Sequence, residues 1–444
     1  MKILNHLKFN SRIVKIVLTA MILLISSEFP SVSYAAETID NSKISGQSAV
    51  LIEEESGDVL FEKNMNKKIY PASTTKIMTA LLVLENLSPD EIITVPEDFP
   101  HVEGSSLYLM IGEKFTVKQL VEALLVHSCN DVAVLFANRI GGDVNTFVQM
   151  MNDRAKKIGC KNTHFENPHG LHDPNHYSTA YDMALIAKEA MKNDEFRRIV
   201  SMDFMVLEAN DIFKEKRYLQ STNRFLWSKS KIIYKNKYIP IKWDAVNGIK
   251  TGQTPEAGNC LITSARENNM NLISAVYKAN GFEVYRDSRL ILDYGFDNFK
   301  IEKVLTKNKV LGKIKVPMTV QETVSYVSGE NYSICYPMGE KPKYKVVFEK
   351  QDFKLPLKKG DKVGTVTVTD SKGDKRIFDA YANNQLESIF TLKHIKEIFL
   401  SKSANIFSLK TLFTIVAVAF LIILTRIIGI NIKKRNRKNR YKRL

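Results

Sequence analysis

Three short motifs, each carrying side chains suited to acyl-transfer chemistry, follow one another along the chain. They are Ser73-Thr74-Thr75-Lys76, Ser128-Cys129-Asn130 and Lys250-Thr251-Gly252. Ser73 and Lys76 are three residues apart, so on a helix that begins just after Pro71 their side chains share one face, where the amine can take the hydroxyl proton. The spacing predicts a nucleophilic serine activated by a lysine.

Lys76 interrupts a stretch that is otherwise apolar on nearly every side, from Thr75 to Leu87. An all-round apolar helix belongs inside a core, and a lysine buried there needs a reason. General base catalysis supplies one, because burial and a second nearby cation both lower the pKa of an amine. We expect Lys250 to be that second cation.

The other two motifs contribute the groups that a peptide substrate requires. The hydroxyl of Ser128 can relay a proton to a leaving amine, and the amide of Asn130 can hold the substrate backbone. On a strand edge, Lys250 and Thr251 can bind a substrate carboxylate, while Gly252 lets the ligand lie close to the backbone. In isolation each motif is common as a polar loop, a turn or a solvated helix face, so the interpretation depends on all three together.

The segments around the motifs predict an antiparallel sheet covered by helices. Residues 49–61 have the pattern of a β-hairpin, and residues 260–262 and 272–276 form two apolar strands on either side of a polar turn. Residues 75–87 and 117–140 are helical in character. After about Phe299 short alternating runs broken by turns predict a small all-β module, and the 444 residues are long enough for two domains.

Taken together, the motifs resemble those of the low-molecular-weight penicillin-binding proteins, the D-alanyl-D-alanine carboxypeptidase family of serine peptidases. The resemblance extends over most of the chain. Besides the three motifs it rests on the stretches Pro71-Ala72, Gly104-Ser105-Ser106, Asn167-Pro168-His169-Gly170-Leu171, Ser178-Thr179-Ala180 with Asp182, and Gly248-Ile249.

The resemblance implies an α/β catalytic domain of the transpeptidase and β-lactamase type over residues 37–299, followed by a β-sandwich stalk over residues 300–385. It implies an acyl-enzyme on Ser73 that removes the terminal D-alanine of peptidoglycan stem peptides, that β-lactams trap, and that uses neither cofactor nor metal. The implied roles are base for Lys76, proton relay for Ser128, substrate clamp for Asn130, carboxylate site for Lys250 and Thr251, close approach for Gly252, and oxyanion hole for the main-chain N–H groups of Ser73 and Gln253.

Two positions depart from the family pattern, which often has glycine in place of Cys129 and histidine in place of Gln253. Neither departure removes a reacting atom, although both can alter deacylation or β-lactam affinity. Cys129 as a rival nucleophile is the alternative to a small buried packing residue. The four cysteines show no close pairs, so we expect mostly free, buried thiols.

The two ends of the chain predict export and membrane anchoring. A basic start, a short apolar run and the site Ser33-Tyr34-Ala35 favour a signal peptide over residues 1–36, with an uncleaved anchor as the alternative. Residues 386–408 predict an amphipathic linker, residues 409–430 a transmembrane anchor and residues 431–444 a basic cytoplasmic tail. A surface-lying amphipathic helix is the alternative for the anchor.

The ends also account for most of the net charge of +16, so nucleic-acid binding is not indicated. The catalytic domain is then expected outside the cytoplasm, with the membrane reached through the anchor.

Four other functions compete with this interpretation. A metal site is suggested by Cys160, His164, His169, His172 and His176, although Pro168 and Gly170 interrupt the spacing. A class A β-lactamase is suggested by Glu166, but the residues after it differ from the pattern of that class. A D,D-endopeptidase acting on crosslinks would share every catalytic group, and a catalytically idle wall-binding protein would keep the fold alone.

Overall fold

The computed structural model describes residues 39–371, 373–391, 414 and 416–426. This part of the chain divides into two compact units. The first contains the described residues up to Val304 together with Asn331–Lys343, and the second contains Leu305–Glu330 and the described residues from Tyr344 onward. Each unit has a five-stranded sheet of its own.

The helices and strands are numbered here in chain order. The helices are α1 (Lys76–Asn86), α2 (Val117–Val126), α3 (Asn130–Gly141), α4 (Val144–Ile158), α5 (Ala180–Ala190), α6 (Asp194–Val200) and α7 (Glu283–Asn298). The strands are β1 (Ser48–Glu53), β2 (Val59–Lys63), β3 (Ile92–Thr94), β4 (Lys114–Thr116), β5 (Phe204–Leu207), β6 (Arg217–Gln220), β7 (Lys231–Tyr234), β8 (Lys237–Pro240), β9 (Val246–Thr254), β10 (Gly258–Glu267), β11 (Met270–Ala279), β12 (Phe299–Leu305), β13 (Val310–Lys315), β14 (Thr323–Ser328), β15 (Tyr332–Pro337), β16 (Lys345–Lys350), β17 (Lys362–Thr369) and β18 (Lys375–Ala382).

The central sheet of the first unit has the order β2-β1-β11-β10-β9, with every pair antiparallel. Side chains of β1 alternate between two apolar cores: Val50 and Ile52 join the core that contains α1, whereas Ala49 and Leu51 join the core that contains α7. Because helices cover both faces, all six residues of β1 are buried. The predicted hairpin and the antiparallel sheet covered by helices are confirmed, and β9 is an edge strand.

The helix α1 lies in the first of these cores, and its residues from Lys76 to Val83 are all buried. A 3₁₀ turn, Ala72–Thr75, leads into it. The prediction of one helical stretch over residues 117–140 is wrong in its middle, because α2 ends at Val126 and α3 begins at Asn130. Ser128 between them has a φ of +68°, a left-handed conformation that no helix continues through.

Up to Ala382 the second unit is all-β, as predicted. Its sheet has the order β13-β14-β18-β17-β16, again antiparallel, and Tyr326 stacks on Phe348 with ring centroids 4.0 Å apart. The two-layered sandwich stays a prediction. The strand β15 pairs with β12, and the segment Asn331–Lys343 that carries β15 belongs to the first unit.

The predicted signal peptide and basic tail lie outside the described residues, as does most of the predicted linker. Of the predicted anchor, residues 414 and 416–426 are described, and they are helical. Within the described ranges, no helix combines the length and the apolar character needed to span a bilayer.

Candidate active site

The first motif lies at the start of α1. Ser73 is in the 3₁₀ turn and Lys76 is the first residue of the helix, with its Nζ 3.0 Å from Oγ of Ser73. Ala72, just before the serine, has a φ of +48°, a strained conformation for a residue with a Cβ. The backbone is therefore held in an uncommon state at the position that presents the hydroxyl.

The side chain of Lys76 is fully buried and has three polar neighbours. Besides Ser73, its Nζ donates to Oδ1 of Asn130 at 2.6 Å and to the carbonyl oxygen of His169 at 2.7 Å. Burial, followed by the nearby charge of Lys250, holds the pKa of Lys76 well below its usual value. A neutral amine has two N–H bonds and one lone pair, so the two carbonyl oxygens leave the lone pair for the Ser73 hydroxyl.

The second motif occupies the break between α2 and α3. The left-handed Ser128 lines the same cavity as Ser73. Asn130 has both ends of its amide engaged within the protein, because Oδ1 accepts from Lys76 and Nδ2 donates to the carbonyl oxygen of Glu103 at 2.5 Å. The observed contacts orient the amine of Lys76, and the substrate clamp stays a prediction.

Cys129 lies in the same break with its side chain buried. Burial and the neighbouring Asp131 raise the pKa of the Cys129 thiol, so it stays protonated. This environment is that of a packing residue rather than a nucleophile.

The third motif lies on β9, which passes directly beside the nucleophile. A Cβ built on Gly252 would come within 3.0 Å of the carbonyl oxygen of Pro71 and 3.1 Å of the backbone nitrogen of Ser73. Thr251, Gly252 and Gln253 line the cavity together with Ser73. A glycine therefore suits the close approach of β9 to the backbone of Ser73, and the close approach of a ligand stays a prediction.

Lys250 points into the protein interior. Its side chain is buried, its Nζ donates to the carbonyl oxygen of Thr251 at 3.1 Å, and burial lowers its pKa to about 7. The sequence predicted two functions for this residue, a second cation near Lys76 and a direct carboxylate ligand. The first agrees with the lowered pKa of Lys76, to which the charge of Lys250 contributes. The second stays a prediction, and Lys250 is not among the residues that line the cavity.

Sequence reasoning missed the cation that lines the cavity, Arg224. It is the single Lys or Arg among the described residues of the cavity wall, which encloses about 660 Å³. Its neighbour Thr222 accepts a hydrogen bond from Oγ1 of Thr251 at 2.7 Å, and its guanidinium lies 4.6 Å from the ring of Phe282. The signal available in the sequence was Asn223, a residue type that caps turns, but nothing local indicated that this turn meets the third motif.

A loop over residues 167–171 packs against Ser73 and Lys76. The carbonyl of Pro168 accepts from Oγ1 of Thr79 at 2.6 Å, and the carbonyl of His169 accepts from Lys76. A Cβ on Gly170, whose φ is +88°, would lie 1.9 Å from the carbonyl oxygen of Ala72. These contacts were not predicted from the sequence.

The residues behind the metal interpretation make separate contacts. His176 bonds through Nε2 to Thr75 at 2.8 Å, His164 pairs with Glu166 at 2.9 Å, and His172 packs edge-on against Tyr70. Within the described part of the chain no three such ligand residues come together in a geometry that could hold an ion.

Comparison with known proteins places these motifs in a family. Residues 35–281 match the family described as D-alanyl-D-alanine carboxypeptidase, and residues 299–388 match the one described as penicillin-binding protein 5, C-terminal domain. The D-alanyl-D-alanine carboxypeptidase DacF of Bacillus subtilis is 35% identical over 331 residues, which cover 72% of this chain and 81% of that protein. DacC of Escherichia coli, which has the same descriptive name, is 31% identical over 353 residues, covering 76% and 84%.

A solved structure of penicillin binding protein 5 from Haemophilus influenzae is similar in fold, with a TM-score of 0.59 at 29% identity. The similarity covers 79% of this chain and 100% of that one. The first family match includes all three motifs and more than half of the 444 residues. The chain therefore belongs to the D-alanyl-D-alanine carboxypeptidase family of S11 serine peptidases.

Proposed function

We propose that this protein is a serine D-alanyl-D-alanine carboxypeptidase that removes the terminal D-alanine from peptidoglycan stem pentapeptides. The observation that carries the proposal is the buried amine of Lys76, 3.0 Å from the Ser73 hydroxyl and depressed in pKa. Such a pair is suited to nucleophilic catalysis, because an amine of lowered pKa beside the serine hydroxyl can accept its proton. The family membership supports the same activity.

In the proposed reaction, Lys76 accepts the proton of Ser73 while Oγ attacks the carbonyl carbon of the penultimate D-alanine. The oxyanion receives hydrogen bonds from the main-chain N–H groups of Ser73 and Gln253, both at the cavity wall. The C–N bond then breaks, and the proton passes from Lys76 through Ser128 to the leaving amine. Water hydrolyses the remaining ester by the reverse proton path and releases the shortened peptide.

The free carboxylate of the substrate is proposed to bind at Arg224, with Thr222 and Thr251 beside it. All three line the cavity, and a guanidinium matches a carboxylate with two parallel hydrogen bonds. Lys250 is proposed to act through its charge, which lowers the pKa of Lys76. Asn130 is then a positioning residue for Lys76, with Gly252 leaving room for the peptide backbone.

We further propose the arrangement on the membrane that the sequence predicts. The leader over residues 1–36 directs export, residues 409–430 anchor the chain and residues 431–444 stay in the cytoplasm, so that the catalytic domain (37–299) and the β domain (300–385) face the cell wall. The apolar run followed by a purely basic tail supports this orientation. Alkaline extraction of membranes tests it, since release of the full-length protein into the soluble fraction would contradict the anchor.

Mass spectrometry after exposure to benzylpenicillin tests the catalytic proposal. A β-lactam imitates the terminal dipeptide, so the adduct is expected on Ser73 and is expected to disappear in Ser73→Ala. The exposed Ser201 offers a matched control, and Ser201→Ala should be labelled like the wild type. An adduct on another residue, or no D-alanine release from a pentapeptide by the wild type, would contradict the proposal. A catalytically idle wall-binding protein would release none.

A further inference from the structure

His176 is a buried histidine to which the proposed reaction assigns no function. The residue is 2% exposed, and its ring packs edge-on against Phe165 with the ring centroids 5.5 Å apart. Burial lowers the pKa of this imidazole to about 3, so the ring is neutral at neutral pH. A neutral imidazole can donate one hydrogen bond and accept one.

Both ring nitrogens of His176 have partners, and these partners fix the tautomer. Nδ1 lies 3.0 Å from the backbone nitrogen of Glu166, and it accepts this hydrogen bond because a backbone N–H can only donate. The single proton of the neutral ring is therefore on Nε2. Nε2 lies 2.8 Å from Oγ1 of Thr75 and donates to it. His176 thus connects the backbone of Glu166 to the side chain of Thr75.

The two residues that His176 connects lie next to groups that contact the amine of Lys76. Thr75 is buried in the 3₁₀ turn and immediately precedes Lys76. Glu166 lies three residues before His169, whose carbonyl oxygen accepts from Nζ of Lys76 at 2.7 Å. One rigid ring therefore sets the separation between the start of α1 and the segment that supplies this carbonyl.

The loop over residues 167–171 is closed by its own hydrogen bonds, so the place where it begins determines where His169 lies. Oδ1 of Asn167 accepts from the backbone N–H of Gly170 at 2.7 Å. Nδ2 of Asn167 donates to the carbonyl oxygen of Leu171 at 2.9 Å. Since Asn167 directly follows the residue that His176 holds, a displacement at that point moves the whole loop.

We propose that His176 is a positioning residue for the Ser73–Lys76 pair. Its two hydrogen bonds hold the loop against the start of α1, so that the carbonyl of His169 stays on Nζ of Lys76 and the lone pair of the amine stays directed at Ser73. His176 is not among the described residues that line the cavity, so it acts through these residues and not on the substrate. The inference rests on the proposed acyl-transfer chemistry, in which Lys76 is the base.

Two substitutions of His176 separate hydrogen bonding from packing. His176→Gln keeps a donor and an acceptor, whereas His176→Leu keeps an apolar side chain and removes both. In the full-length protein in detergent, His176→Leu should lower both kcat for D-alanine release and the rate constant of acylation at saturating benzylpenicillin by about thirtyfold, because small displacements of catalytic groups are costly. KM for the pentapeptide should change less than about twofold, and His176→Gln should stay within about threefold of the wild-type kcat.

Two further variants provide the controls. His164→Leu removes a half-exposed histidine from the same segment and should behave like the wild type. Thr75→Val keeps the imidazole but removes the hydroxyl that it contacts, so it should reproduce the loss. The double variant Thr75→Val/His176→Leu should lose no more than either single variant, because both remove the same contact. Thr75→Val also carries the test if melting curves show that His176→Leu does not fold.

The outcomes separate the inference from the proposed function. Acylation of folded His176→Leu at the wild-type rate, or a raised KM with unchanged kcat, would show that His176 does not position the catalytic pair. Equal losses in His176→Leu and His176→Gln would show that the two hydrogen bonds are not the cause. If the wild type itself released no D-alanine and formed no adduct, the carboxypeptidase proposal would be wrong, and the inference with it.

Discussion

The protein interior beside Ser73 and the surface of the β7–β8 hairpin both carry lysines, but in different environments. In the first, Lys76 and Lys250 are buried and their pKa values are lowered, Lys250 to about 7. In the second, Lys231 and Lys235 are exposed. A buried amine can give up its proton and act as a base, whereas an exposed one stays charged and can only attract an anion. Burial therefore decides whether a lysine of this protein can act as a base or only attract an anion.

Removing the buried base is expected to have the largest effect. Lys76→Ala should lower kcat/KM for D-alanine release by about a thousandfold, the usual contribution of a well-placed general base. Acylation by benzylpenicillin should slow in parallel, measured as the rate of adduct formation. Circular dichroism provides the folding control, because the change also leaves Asn130 and the carbonyl of His169 without their donor. Rapid acylation of the folded variant at neutral pH would exclude Lys76 as the base.

A change in the loop over residues 167–171, which packs against Ser73 and Lys76, is expected to have the second-largest effect on activity. Gly170→Ala would place a methyl group 1.9 Å from the carbonyl oxygen of Ala72, so the loop or the nucleophile must move. Since small displacements of catalytic groups are costly, kcat/KM should fall by about a hundredfold. Gly159→Ala is the matched control, because Gly159 also has a positive φ, +101°, but has nothing within 4 Å of an added Cβ.

Both variants carry the strain of a left-handed alanine, about 1 kcal/mol, and their melting temperatures should fall by a few degrees. Only Gly170→Ala should lose activity. If the two variants were equally active, the loop would have no positioning function.

A pH profile distinguishes the two buried lysines. Activity should rise with pH as Lys76, whose pKa is lowered by burial and by the Lys250 cation, loses its proton. Activity should then fall above about pH 7, where Lys250 loses its proton. In Lys250→Met the falling limb should disappear, and the rising limb should move to higher pH because one cause of the lowered pKa of Lys76 is gone. The maximum of kcat/KM should drop about thirtyfold, as for loss of a buried charged contact.

An unchanged rising limb in Lys250→Met would show that Lys250 does not influence Lys76. The measurement is D-alanine release at saturating and subsaturating pentapeptide between about pH 5 and about pH 10, which separates limbs of kcat from limbs of kcat/KM.

The smallest of these effects is expected at Arg224, where the charge is partly exposed to solvent. Arg224→Gln should raise KM for the pentapeptide about tenfold and change kcat by less than threefold, because it removes a contact present in both ground and transition states. A pentapeptide amidated at its C-terminus should show the raised KM already with the wild type. Arg224→Gln should not raise that KM further. A fall in kcat alone would place Arg224 in the chemical step instead.

Local patterns in the sequence were sufficient to predict that the amine of Lys76 lies beside the hydroxyl of Ser73, and to predict the sheet. The spacing of Ser73 and Lys76 places both on one helix face whatever surrounds them, and β-hairpins join residues near in sequence. The exact ends of the two helices around Ser128 depended on tertiary structure, because both flanking segments have helical composition and the backbone reversal depends on a contact between Asn130 N–H and the carbonyl of Ser105. The β module was predicted from alternating runs, which do not reveal how many sheets they form.

What the sequence by itself determined is the reacting pair and the chemistry it can perform, because an amine and a hydroxyl one helical turn apart need no distant partner to meet. Only the tertiary structure decided which charged side chains line the cavity and which are buried. It placed Arg224 on the cavity wall, bonded Thr251 to Thr222, turned Lys250 inward, and laid Gly170 against the carbonyl of Ala72. The contacts of Thr251 and Gly170 join residues 29 and 98 positions apart along the chain, and their formation depends on how strands and loops pack rather than on any local pattern.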